Sequence, residues 1–130
     1  VLFCPNGDVQ ETGASNFILI KGNEIITKPL TDEFLHGVTR DSVLTVAKDL
    51  GYTISERNFT VDELKAAVEE GAEAILTGTA AVISPVTSFV IDGKEIEVKS
   101  QERGYALRKA LTDIQYGLAE DKHGWLVEVC

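Results

Sequence analysis

Three turn signatures organise this chain. Pro5-Asn6-Gly7-Asp8, Gly22-Asn23 and Asp92-Gly93 each separate two short extended runs: Val1–Cys4 from Val9–Glu11, Asn16–Lys21 from Glu24–Lys28, and Ser88–Ile91 from Glu95–Val98. Residues of these types supply the positive or fixed φ that a tight reversal needs, so each signature predicts a hairpin. Between the hairpins the apolar period lengthens. From Thr39, the positions Val43, Val46, Ala47 and Leu50 follow the i, i+3, i+4, i+7 spacing of a helix that Gly51 ends. Thr60 and Glu63 form a capping box before Val61, Leu64 and Val68, in a helix that stops at Gly71. Leu107, Leu111, Ile114 and Leu118 share one face of a last helix beginning near Gln101. Tyr52–Phe59, Ala72–Leu76 and Val82–Pro85 read as further strands, and Trp125–Val129 as a short apolar segment. Hairpins interleaved with helices exclude a regular βαβ series and predict an α+β chain, one mixed sheet or barrel with helices outside.

The 130 residues suit one domain, and 44% hydrophobic content gives it a core. Lys and Arg number 12 against 21 Asp and Glu, a net charge of −9 with no basic stripe, which argues against nucleic acid or an anionic membrane as partner. Neither the two cysteines, Cys4 and Cys130, nor the two histidines, His36 and His123, stand in a metal or redox spacing, so no metal site is expected. No apolar run reaches the roughly 18 residues of a membrane span, and no signal peptide opens the chain, which makes the cytoplasm the default compartment. There is no methionine, and Val1-Leu2-Phe3-Cys4 reads as a strand already under way, so we expect a piece of a longer protein.

Three places could carry chemistry, and each has a bland alternative. In Leu35-His36-Gly37-Val38-Thr39-Arg40-Asp41 a glycine precedes a hydroxyl residue at a helix start, where free N–H groups and the helix dipole make an anion site that a phosphate would fit. The alternative is a plain N-cap at Thr39 with an acidic residue in the first turn. Gly78-Thr79-Ala80-Ala81 leaves backbone N–H groups accessible beside a hydroxyl, or is merely a tight packing corner. Glu11, ahead of the small residues Thr12-Gly13-Ala14-Ser15-Asn16, could hold a proton on a partner nitrogen, or be simply solvated.

Taken together, Glu11 to Asn16, Leu35 to Arg40, Gly78-Thr79-Ala80-Ala81-Val82-Ile83-Ser84-Pro85 and Thr112-Asp113-Ile114-Gln115-Tyr116-Gly117 resemble the pyridoxal-phosphate-dependent branched-chain aminotransferases of class IV. The resemblance covers essentially the whole chain and corresponds to most of that family's larger, C-terminal domain. It implies an α+β pseudo-barrel of fold type IV, with residues 1–130 as a single cofactor-binding domain. It implies a cofactor site made of Glu11 at the pyridine nitrogen, Leu35 against the ring, Gly37, Val38 and Thr39 at the phosphate, and the Thr79 hydroxyl reaching the same phosphate. The N–H groups of Thr79 and Ala80 would receive the substrate carboxylate. The implied substrates are branched-chain amino acids and 2-oxo acids, in branched-chain amino-acid biosynthesis, and the implied intact enzyme is a homodimer.

Departures from the family pattern qualify the resemblance. His36 stands where the family usually has proline, and Ala81 and Ser84 occupy the positions of a redox CXXC found in mammalian members. The family's Schiff-base lysine lies a few dozen residues before the position of Glu11, outside this chain, so no catalytic residue is assigned here and the 130 residues alone are expected to be inactive and prone to self-association. The residues leave two alternatives. One is a noncatalytic anion- or partner-binding module of the same fold, the other a D-amino acid aminotransferase or aminodeoxychorismate lyase relative.

Overall fold

A computed structural model describes residues 1–130. Its elements run β1 (Asn16–Lys21), β2 (Glu24–Thr27), α1 (Val38–Asp49), β3 (Thr53–Glu56), α2 (Val61–Glu69), β4 (Glu73–Gly78), β5 (Val82–Pro85), β6 (Ser88–Ile91), β7 (Lys94–Glu97) and α3 (Glu102–Gln115). Five strands form one mixed sheet in the order β3-β2-β1-β4-β5, and β6-β7 stands apart as a two-stranded ribbon. All pairings are antiparallel except β2 with β3, which α1 connects as a single crossover. The chain is thus α+β with an open sheet, and the ribbon's ladder stays separate from it.

Asn16 to Ile20 are all buried, because β1 is the central strand and both its faces are covered. The period of two divides its side chains between two cores. Ile18 and Ile20 join Ile25, Ile75 and Ile83 under α1 and α3, while Phe17 and Leu19 join Ile26, Ala74 and Phe59 under α2. Each large aliphatic side chain removed from water in these layers contributes about 1.5–3 kcal/mol. Helix α3 approaches the sheet so closely that a Cβ on Gly104 would lie 2.9 Å from Ile75 Cγ2.

The second and third predicted hairpins form at Gly22 and at Asp92-Gly93. The first does not form a ladder. Pro5–Gly7 is a 3-10 turn, and its flanks are joined by Phe3 N to Glu11 O at 3.0 Å, Gln10 N to Phe3 O at 2.8 Å and one bridge between Leu2 and Thr12. Asp8 is drawn instead to Thr60. The Tyr52–Phe59 strand shortens to β3, and Trp125–Val129 takes no regular structure. Leu118 does not belong to the face of α3: the helix ends at Gln115, Gly117 at φ 69° turns the chain away, and Leu118 is exposed.

Half of the predicted capping box is present. Thr60 Oγ1 accepts from Glu63 N at 3.2 Å, but the Glu63 carboxylate turns to Arg57 at 2.5 Å, and that bond holds it below the usual glutamate range. The C-terminal segment folds back on α1. His123 Nε2 meets Asp49 Oδ2 at 2.7 Å and its ring stacks on Trp125, while Asp121, held low by backbone N–H groups of the turn, accepts from Leu126 N at 2.7 Å. No helix is long and apolar enough to cross a membrane.

Candidate functional site

The three predicted places meet at one end of the sheet, and strand direction explains why. β1 begins where β4 ends, since the antiparallel register sets Asn16 opposite Thr77. β2 runs toward the same end, so the segment leaving it at Lys28 delivers the start of α1 there. A cleft of about 80 Å³ results, lined by Ala14, Ser15, Asn16, Leu35, Gly37, Val38, Thr39, Thr77, Gly78 and Thr79.

Gly37, not Thr39, is the N-cap of α1. It carries φ −65° and ψ 124°, and no side chain caps the helix. The alternative of a plain N-cap at Thr39 does not hold: Thr39 lies within the first turn, and the first intrahelical bond at this end is Asp41 N to Gly37 O at 3.1 Å. The N–H groups of Val38 and Thr39 are therefore left for a ligand, with the positive end of the dipole behind them. Arg40 supplies no charge to this space. The residue is 3% exposed, and its guanidinium donates to Lys28 O and Glu56 Oε1, both at 2.8 Å.

Asn16, which the sequence did not single out, ties the segments together. Its Nδ2 donates to Glu11 Oε2 at 2.7 Å and to Leu35 O at 3.0 Å, using both amide hydrogens, while Leu35 N approaches Glu11 Oε1 at 3.4 Å. Its Oδ1 faces Gly37 so closely that a Cβ there would lie 2.2 Å away. Glycine at 37 is demanded by this contact rather than by φ. Glu11 itself borders an adjoining gap that shares Asn16 with the cleft. It is neither free nor merely solvated, since two protein donors already orient its carboxylate.

On the opposite wall, Gly78 ends β4 with Ala14 O and Ser15 Oγ each 3.4 Å from where a Cβ would stand. Thr79 and Ala80 are exposed in the turn that follows, and Ala80 lies beyond the lining of the cleft. That turn closes on Val82 at φ 59°, a left-handed conformation that a β-branched residue adopts only under constraint. Leu35 is 70% exposed, its side chain available to whatever lies over the cleft. The fourth motif, Thr112 to Gly117, forms the end and cap of α3 and borders none of this.

Thr77 lines the cleft, and its Oγ1 is a buried polar atom without a partner. Free helix amides, hydroxyls at Thr39, Thr77 and Thr79, and two missing Cβ atoms form a donor-rich cradle, and such a cradle suits a phosphate. At about 80 Å³ it holds one end of a ligand, since complete small-molecule sites span roughly 300–1,000 Å³. The larger groove of about 720 Å³ between Leu2, Val61 and Phe89 contains none of the predicted residues and no converging donor set. No group of three or more His, Cys, Asp or Glu side chains could hold a metal, and burial pushes the lone Cys4 thiol up.

Residues 1–89 match the family model of amino-transferase class IV. The chain belongs to the class IV aminotransferase family. Among its relatives, a probable branched-chain-amino-acid aminotransferase of Streptomyces coelicolor is 44% identical over 123 residues, which cover 91% of this chain and 34% of that protein. The branched-chain amino acid aminotransferase from Escherichia coli superposes with a TM-score of 0.79 at 32% identity, over 95% of this chain and 40% of that one. The branched-chain amino acid aminotransferase from Thermobaculum terrenum in its holo-form with pyridoxal phosphate superposes with a TM-score of 0.80 at 31% identity, over 97% of this chain and 40% of that one. The chain spans about a third of the length of the curated relatives it matches.

Proposed function

We propose that this chain is the greater part of the cofactor-binding domain of a branched-chain amino acid aminotransferase, a cytoplasmic homodimer when intact, that moves the amino group of leucine, isoleucine or valine to 2-oxoglutarate with pyridoxal 5'-phosphate. The observation that carries this reading is a donor-rich cleft between the start of α1 and Thr79, to which Asn16 ties the Glu11 carboxylate from the adjoining gap. The relatives named above support it. So do two further similar structures of a branched-chain amino acid aminotransferase, each 32% identical to this chain. One is complexed with N-(5'-phosphopyridoxyl)-L-glutamate and the other with 4-methylvaleric acid, which has the carbon skeleton of leucine.

Pyridoxal phosphate, when bound, supplies an electron sink for the pair left when the substrate Cα proton departs. The chain's own residues set the conditions for that chemistry. Glu11 keeps a proton on the pyridine nitrogen, and the donors from Asn16 and Leu35 fix the direction in which its carboxylate points. The Val38 and Thr39 N–H groups and the Thr39 hydroxyl hold the phosphate, with Gly37 letting it approach, and the Thr79 hydroxyl reaches it from the other wall. Leu35 covers the ring. The N–H groups of Thr79 and Ala80 receive the substrate carboxylate, which the exposure of that turn allows. The lysine that shuttles the proton lies in this reading outside residues 1–130, together with the pocket for the branched side chain.

Glutamate formation by the full-length protein tests the proposal. All three branched-chain amino acids are expected to donate to 2-oxoglutarate, and the 130-residue chain alone to give none. Transfer from D-amino acids, with none from the branched L-amino acids, would sink it.

A further inference from the structure

Thr77 Oγ1 is the buried side-chain atom for which the fold provides no hydrogen-bond partner. The residue is 1% exposed, and a hydroxyl donor withheld from both water and protein weakens the folded state. Packing does not explain the choice of threonine. Valine has nearly the same shape, prefers strands at least as well, and would leave no orphan at this central-sheet position.

The position of the orphan does explain it. Alternation along β4 puts Thr77 on the face of Ile75, the face that carries α1, and the register sets it opposite Asn16. It lines the cleft together with Gly37, Val38 and Thr39. Thr77, with its unpaired hydroxyl, and the uncapped first turn of α1 thus line one small space from different elements. An acceptor-only group seated there would satisfy both sets of donors. Arg40 is engaged elsewhere, so within this chain such a group would rely on neutral donors, each of which matters more for that reason.

We propose that Thr77 is a further phosphate-contacting residue, its hydroxyl donating to an oxygen of the 5'-phosphate from the sheet side while the amides of α1 hold it from the helix side. This rests on the cofactor reading above and adds to it a residue that reading does not include.

The test uses Thr77→Val and Thr77→Ser in the full-length protein. Dissociation constants are measured for pyridoxamine 5'-phosphate and for pyridoxamine, which lacks the phosphate, along with the melting temperature of the ligand-free protein. Thr77→Val is expected to bind pyridoxamine 5'-phosphate roughly 10- to 100-fold more weakly, the range for one hydrogen bond to a charged group. Pyridoxamine binding should stay unchanged, the melting temperature should not fall, and Thr77→Ser should restore most of the affinity. Unaltered binding of the phosphorylated form by Thr77→Val overturns the proposal, as does an equal loss for pyridoxamine or a fall in melting temperature without a loss of binding. A wild-type protein that binds neither form overturns the cofactor reading itself, an outcome separate from the others.

Discussion

Gly37→Ala is expected to lower kcat/KM for amino transfer by about 100-fold, the scale on which a displacement of about 1 Å acts in a catalytic site. The added Cβ would stand 2.2 Å from Asn16 Oδ1, so either Asn16 or the 35–37 segment must move. Asn16 cannot move alone. Its amide holds Glu11 and Leu35 O together, and a shift redirects the carboxylate assigned to the pyridine nitrogen while lifting the start of α1 from the phosphate. Gly13→Ala provides the control, for there the nearest atom to an added Cβ is Phe3 Cε2 at 3.9 Å. Steady-state kinetics of the two full-length variants read the difference directly. An unchanged kcat/KM in Gly37→Ala would show that the Asn16 contact has no bearing on function.

The largest loss of stability is expected from Glu73→Ala, about 3–5 kcal/mol in chemical denaturation. Glu73 is 1% exposed, and its carboxylate serves as a cap that the N-cap residue Gln101 does not supply to α3. Oε1 accepts from Ser100 Oγ and Arg103 N at 3.1 Å each, Oε2 from Gly104 N at 2.9 Å, and the Arg103 guanidinium lies 3.6 Å away. Alanine leaves the Gly104 amide buried and unpaired just where α3 presses on Ile75, so the helix cannot shift outward to reach water without opening that packing. A loss under about 1 kcal/mol, typical of a surface position, would contradict this account of how α3 is anchored.

Local chemistry made much of the fold legible. Gly22-Asn23 and Asp92-Gly93 set their hairpins, Thr60 capped α2, and the 3.6-residue spacing of Val43, Val46 and Ala47 marked the buried face of α1. What escaped depends on partners distant in sequence. Residues 1–12 divide their pairing between themselves and Thr60, and no turn residue announces that. Gly117 carries the signal that ends α3, against an apolar spacing that runs on to Leu118.

The site was legible as three segments but not as a network. Asn16 and Thr77 are polar residues within apolar runs, and their meaning comes from a strand register that brings them opposite each other across 61 positions. Likewise Lys28 pairs with Asp8 and Asn58, Arg40 with Glu56, and Glu73 with the start of α3, each over long separations. A polar residue at the end of a buried strand was the available clue, and it cannot by itself tell a packing role from a ligand role.

In the proposed enzyme these residues cradle pyridoxal phosphate while the lysine that bonds to it comes from another part of the protein. An absorbance titration of the full-length protein with pyridoxal phosphate, followed by borohydride reduction and peptide mass mapping, tests this most directly. One reduced pyridoxyl-lysine lying outside residues 1–130 is the predicted result. A stoichiometric adduct on one of the chain's own eight lysines, from Lys21 to Lys122, would contradict it.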